Sequence, residues 1–220
     1  MADGSIGDHA GRGRGRTGRP PLTDERRAAF RQEIARAAVE LFVDQGVTAT
    51  TGEQIAQVVG VSSRTLWRYF PSKESCVSPL FTAGIDAIAA ALRAWPEGGP
   101  LETALERATS GEGLIPLPQV PRVRALLRLT RTEPGLRAVW LQAHDDAEPA
   151  FARALADRAG LTAVDLRSEI QAAMLNAALR AAVEHYAWRT DDDESGPETA
   201  HSEVTATVRS ALGVAARGIS

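Results

Sequence analysis

Lysine is almost missing from this chain, where Lys73 stands alone beside twenty-four arginines. Cysteine is as scarce: Cys76 by itself closes no internal disulfide and builds no cysteine-based metal site, so a reducing, cytoplasmic compartment is expected. No apolar run approaches the roughly 20 residues that span a bilayer. The Arg-rich stretch at 12–19 leads into Pro20-Pro21 rather than an apolar segment, so no signal peptide is expected. The sequence also lacks G-x-S-x-G, a P-loop and H-E-x-x-H, and its four histidines, His9, His144, His185 and His201, are far apart. No catalytic residue, metal or cofactor is therefore expected, and the chain is not read as an enzyme. His144-Asp145-Asp146 reads as a solvated acidic turn, because adjacent residues on a helix do not converge on one ion. A formal G-x-G-x-x-G at Gly13, Gly15 and Gly18 follows no strand and opens no helix, so it cradles no pyrophosphate.

What remains is an ordinary globular composition: 220 residues, 44% hydrophobic and 24% charged, with a net charge of −3. That bulk charge alone argues for no nucleic-acid partner, but its distribution is uneven. Residues 1–75 carry eleven basic and nine acidic groups, whereas residues 76–220 carry fourteen and nineteen. The basic part is the one suited to a polyanion.

Residues 1–22 have no apolar periodicity and are rich in Gly, Arg and Pro, the composition of a disordered arm. Beyond it the spacing is helical and nothing alternates like a strand, so an all-α fold is expected. Thr23 caps a helix that carries Phe30, Ile34, Ala37, Leu41 and Phe42 and stops at Gly46. Thr51-Gly-Glu-Gln54 is a capping-box pattern opening a short helix with Ile55 and Ala56. Gly60 ends it, Ser62 caps the next through Phe70, and Pro71-Ser72 restarts the chain into a helix to about Ala94. Further helices are expected at 101–108, at 122–132 and from Leu136, the last kinked or split by Pro149. A long helix capped by Thr162 and a final amphipathic helix through Val204, Val208 and Leu212 flank an acidic loop at 191–197.

Two short helices separated by Gly60-Val61 match a helix-turn-helix, whose second helix enters a major groove. Leu66 and Phe70 should pack on Ile55, Leu41 and Phe42. The opposite face then presents Ser63, Arg64, Thr65, Trp67, Arg68 and Tyr69. Hydroxyls and guanidinium groups donate to phosphate, and arginine reads guanine edges bidentately. Spacing alone leaves a second reading open, an ordinary three-helix packing unit with a polar face.

The stretch T-T-G-E-Q-I-A, G-V-S-S-R-T-L-W-R-Y-F and P-S-K resembles the DNA-binding domain of TetR-family transcriptional regulators, over about residues 27–78. The resemblance implies a bacterial, cytoplasmic, nucleoid-associated dimer that binds double-stranded DNA at a pseudo-palindromic operator. It further implies a helix-turn-helix domain at 23–75 and a helical ligand-binding and dimerisation domain at 76–220. Carried over by position, Ser62, Ser63, Arg64, Thr65 and Arg68 face base edges or adjacent phosphates. Trp67 and Tyr69 meet the sugar-phosphate backbone, and Thr51 and Lys73 meet phosphate. Trp67 stands where the family more usually has tyrosine, and its indole N–H offers the donor in place of a hydroxyl. Arg12, Arg14, Arg16 and Arg19 form a candidate minor-groove arm, or else a solvated basic tail.

The regulatory half is less explicit. Ile170, Ala173, Met174, Ala177, Ala178 and Ala181 form a small-residue stripe that, with the last helix, either pairs with a second copy or completes this chain's core. Trp140, His144, Asn176 and Arg180 are polar or amphipathic groups on apolar helices, and so are the candidates to orient a small-molecule effector. The expected function is a repressor released by such an effector; a regulator that binds DNA without one is the alternative.

Overall fold

The structure, a computed structural model, describes residues 23–95, 99, 120–189 and 197–217. All regular elements among them are helical. The arginine arm, the 101–108 helix and the acidic loop fall outside the described residues.

Helix α1 (Asp24–Gln45) starts where Thr23 accepts the Arg26 N–H at 3.4 Å and stops at Gly46, whose φ of +86° suits glycine. Helix α2 (Gly52–Val58) opens with the expected capping box: Thr51 Oγ1 accepts from the Gln54 amide at 3.2 Å, and Gln54 Oε1 accepts from the Thr51 amide at 2.8 Å. Gly60, at φ +71°, turns the chain so that the Val61 amide reaches Ala56 O at 2.9 Å. Ser62 caps α3 (Ser63–Tyr69) through the Thr65 amide at 3.2 Å. Leu66, Phe70, Ile55 and Phe42 are fully buried together, as the spacing of apolar positions requires, with Leu41 half-buried against them.

A 3₁₀ turn (Glu74–Val77) leads into α4 (Ser78–Arg93). Against the expectation that no stretch approaches membrane-spanning length, the 20 residues Glu74–Arg93 are long and apolar enough by composition, but Leu80, Phe81, Ile85, Ile88 and Leu92 are core residues here. Helix α5 (Val120–Leu129) begins two residues before the expected 122 and ends before 132, because Pro121 is tolerated in a first turn that needs no N–H donor. Helix α6 (Pro134–Arg158) is one unbroken element, so of the two outcomes expected at Pro149, a kink or a split, the split does not occur. Proline removes one internal hydrogen bond, and burial of Phe151, Ala152, Ala154 and Ala156 just beyond it carries the helix through.

Helix α7 (Leu166–Arg189) starts four residues after Thr162, the expected cap. Asp165 caps it instead, accepting from the Ser168 amide at 2.9 Å and the Ser168 hydroxyl at 2.7 Å. Those bonds hold the Asp165 carboxyl below its usual range. In α8 (Pro197–Arg217) the stripe Val204, Val208 and Leu212 turns inward against α7 within this chain. Of the α7 stripe, Ile170, Ala177 and Ala181 are exposed, and Ala173, Met174 and Ala178 are half-buried. One hydrophobic cluster runs from Ile34 in α1 to Leu212 in α8. The head rests directly on the body through α1 against α4 and α5, with an Arg122–Glu40 ion pair at 2.8 Å across the α1–α5 contact.

Candidate nucleic-acid interface and effector site

On α3, the inward leucine and phenylalanine leave Arg64 and Arg68 exposed, Trp67 41% exposed, and Ser63 and Thr65 half-buried. Arg64, Thr65, Trp67 and Arg68 border one shallow groove. Exposed Ser62 touches Thr65 through their hydroxyls at 3.0 Å. Tyr69 is less available than spacing suggests. Its ring packs edge-on against Phe30 with centroids 5.2 Å apart, and its carbonyl accepts from Arg31 Nη1 at 2.9 Å. Arg31 also lies 4.4 Å above the Phe70 ring, so one arginine of α1 fixes the end of the recognition helix.

Lys73 is half-buried. Its Nζ donates to Val47 O at 2.6 Å and Thr50 O at 2.8 Å, tying the start of the 3₁₀ turn to the α1–α2 connection. Buried Thr50 donates from Oγ1 to Gly46 O at 2.8 Å, and Gln45 Nε2 donates to Thr50 Oγ1 and Gln54 Oε1, each at 3.1 Å. Exposed Thr51 thus sits between two fixed neighbours, Thr50 and Gln54. Gln45, Thr50 and Arg31 were not foreseen; only the position of Thr50 directly after the turn at Gly46 hints at its role.

The four candidate effector residues do come together between α6 and α7, where His144 bonds Asn176 and two glutamates, Glu148 and Glu184, partner the rest. Asn176 Nδ2 donates to His144 O at 2.9 Å and Glu148 Oε1 at 2.8 Å, leaving Asn176 Oδ1 2.6 Å from His144 Nδ1. That orientation assigns the proton to Nδ1, so buried Nε2 is an acceptor with no donor among the described residues. Trp140 stacks edge-on against His144 at 4.2 Å and donates from Nε1 to Glu184 Oε1 at 2.8 Å. Glu184 also pairs with Arg137 and, at 3.8 Å, with Arg180. Arg137, Glu148 and Glu184 were missed because charged residues at helical spacing read as a solvated face. Asp145 and Asp146 are exposed on α6 and not in a turn, so the solvated acidic turn expected there is a helix face with His144 buried behind it.

Burial pushes the His144 imidazole below its ordinary range; the Asn176 bond and nearby Glu184 and Glu148 oppose that, and Arg180 adds to it. The unfolded chain takes up a proton near pH 6.5 that the folded protein refuses. Stability is therefore full above that value and falls as pH drops below it, by up to about 1.4 kcal/mol per pH unit. Thermal melts from pH 7.5 to 5.5 should show this slope and His144→Gln should flatten it; equal slopes would remove His144 as the cause.

Trp140 is also one wall of a wholly apolar cavity of about 30 Å³, with Leu80, Phe81, Ile85, Leu127 and Val183 among its other walls. Phe81 of α4 meets the Trp140 ring at 5.1 Å, so the cavity touches the helix that leads back to Lys73.

An exposed, donor-rich second helix locked by a buried leucine and phenylalanine is the reading head of a helix-turn-helix DNA-binding protein. Residues 34–79 match the family model described as bacterial regulatory proteins, tetR family, and residues 85–209 match the MftR C-terminal domain. The chain belongs to the TetR family of bacterial transcriptional regulators. It is 32% identical over 188 residues to the HTH-type transcriptional regulator TcmR of Streptomyces glaucescens, covering 79% of this chain and 80% of that one. A Mycobacterium tuberculosis protein assigned as the mycofactocin biosynthesis transcriptional regulator MftR is 28% identical over 171 residues, 77% of this chain and 85% of its own. The fatty acid degradation regulator FadR from Bacillus halodurans shares the fold, with a TM-score of 0.53 at 18% identity over 86% of this chain and 96% of that one.

Proposed function

We propose that this regulator is a cytoplasmic dimeric repressor that a small molecule releases from a pseudo-palindromic operator. The observation that carries the DNA half is the division of α3, with Leu66 and Phe70 buried and Arg64, Trp67 and Arg68 exposed. In this reading Ser62, Ser63, Arg64, Thr65 and Arg68 meet base edges and adjacent phosphates, and Thr51, Trp67 and Tyr69 meet the backbone. The arm from Arg12 to Arg19 enters the minor groove beside them. Dimerisation uses the α7 face: Ile170 is 52% exposed, and Ala173, Ala177 and Ala181 beside it permit close helix approach.

The effector widens the cavity at Trp140, and α4 carries the change from Phe81 through the 3₁₀ turn to Lys73 and the carbonyls that Lys73 holds. Release follows only if the ligand prefers the form with unsuitable spacing of recognition helices. A regulator without an effector is the second reading. The cavity favours it, because about 30 Å³ is nearer the size of a water molecule than of a ligand, and Trp140, Asn176 and Arg180 are already paired.

Selection of bound duplexes from a random library tests both halves. Two inverted half-sites about one helical turn apart are expected, and an unrepeated site would defeat the dimer. With that operator, loss of the gel shift on adding a compound separates the inducible reading from the constitutive one. Arg64→Ala should cost about 1–3 kcal/mol and relax discrimination at one base pair. Lys73→Met removes the ammonium that Val47 O and Thr50 O share, so it should weaken all sequences alike through the α1–α2 connection; a salt slope lowered by about one would show that the same ammonium also meets phosphate. If neither changes DNA affinity, the docking assignment fails.

A further inference from the structure

Gly52, the first residue of α2, is buried beneath Trp67 of α3. A Cβ added there would lie 2.0 Å from Trp67 Cζ2, 2.2 Å from Cη2 and 3.2 Å from Cε2. Contacts that short cannot stand, so a side chain at 52 would force the indole out of its present place. The benzene half of the ring covers the glycine, and the indole as a whole stays 41% exposed. Elsewhere in a helix glycine is a liability, costing about 0.5–1 kcal/mol relative to alanine. Its φ is not in the left-handed region either, so backbone conformation gives no reason for glycine at this position.

We propose that Gly52 and Trp67 are an interlocked pair that sets the position of the first turn of α2 against the recognition helix. Gly52 is the seat and Trp67 the strut. Both helices belong to the DNA-reading head, and both residues lie beside groups already argued to meet the duplex. Thr51, the exposed cap of α2, precedes Gly52, and Arg68 follows Trp67. A strut between these points fixes the separation of the backbone-contacting end of α2 from the base-reading face of α3. That separation must match a rigid duplex to a fraction of an ångström, because phosphate contacts set the register in which bases are read. Trp67 thereby acts by position as well as by its N–H, and Gly52 acts on the DNA without touching it.

The test is a double-mutant cycle on the full-length protein with the duplex selected above, read by gel shift and by thermal melting. Gly52→Ala should weaken operator binding at least tenfold while the melting temperature of the whole protein changes little. Trp67→Ala should weaken binding as well. In the Trp67→Ala background the seat is empty, so adding Gly52→Ala should change affinity less than twofold and should recover helix propensity. Trp67→Phe, whose shorter ring falls short of the positions that Cζ2 and Cη2 hold over Gly52, should relieve the clash, so adding Gly52→Ala to it should cost less affinity than in the parent protein. Folding of the double variant where Gly52→Ala alone fails to fold would support the interlock equally. The proposal is overturned if Gly52→Ala binds like the parent protein, or if it costs the same with Trp67 removed. Failure of both Gly52→Ala proteins to fold would also overturn it, since the cause would then not be the indole.

Discussion

Leu66→Ala is expected to abolish operator binding, although Leu66 never touches DNA. The side chain is fully buried and shares the head's core with Ile34, Phe42, Val47, Ile55 and Phe70. Helix α3 has seven residues, too few to be stable in isolation, and depends on packing for its existence. Removing a buried leucine costs about 2–5 kcal/mol through lost transfer energy and the cavity left behind. Here that cost falls on the element that carries Arg64, Thr65 and Arg68, so the donors lose their common orientation. Specific binding exceeds non-specific binding by about 10³–10⁷-fold. Leu66→Ala should forfeit most of that factor, whereas Arg64→Ala should lose only one base contact. A gel shift with the selected operator beside a scrambled duplex measures it, together with a thermal melt. Operator affinity equal to that of the parent protein would show that α3 is not held by Leu66.

The head was legible in the sequence wherever its signals are local. Thr51 with Gln54, Gly60 and Ser62 act within a few residues of themselves, and each performs the expected role. Lys73 is different. Its identity announces a cation near phosphate, but its two carbonyl partners lie 23 and 26 residues away, and only the folded chain brings them together. Gly52 and Trp67 are also separated by fifteen positions, with no pattern joining them.

In the body, local signals compete and packing decides. Thr162 and Asp165 are both good caps; Leu161 continues the turn after Gly160 by donating to Ala156 O at 3.0 Å, and the helix begins at the later candidate. Pro149 is a helix breaker by itself and is overruled by apolar burial on its C-terminal side. Trp140, His144, Asn176 and Arg180 stood out as polar groups on apolar helices, and they do meet. Glu184 did not stand out, because a glutamate in a helix is nearly always solvated.

That missed glutamate should have the second large effect. Glu184 is 8% exposed and accepts from Trp140 Nε1 while facing Arg137 and Arg180. Glu184→Ala strands a buried indole N–H and two cations. Breaking a buried pair costs about 3–5 kcal/mol, and the lower end applies because Arg137 and Arg180 side chains are 29% and 35% exposed and can still reach water. The melting temperature should fall by roughly 6–12 °C for a chain of this size. Glu184→Gln keeps an acceptor for Trp140 and should fall about half as far. Desolvating the carboxylate has its own cost, so replacing the whole cluster is the informative control. Glu184→Leu combined with Arg137→Met and Trp140→Phe leaves nothing unpaired except Arg180, and it should recover most of the lost stability. Because Trp140 walls the cavity and touches Phe81 of α4, the same series reports on transmission to the head. Glu184→Ala should weaken operator binding at temperatures well below its melting point, while the triple replacement should restore it. Operator binding by Glu184→Ala equal to that of the parent protein would cut the proposed route from the cavity through α4 to Lys73.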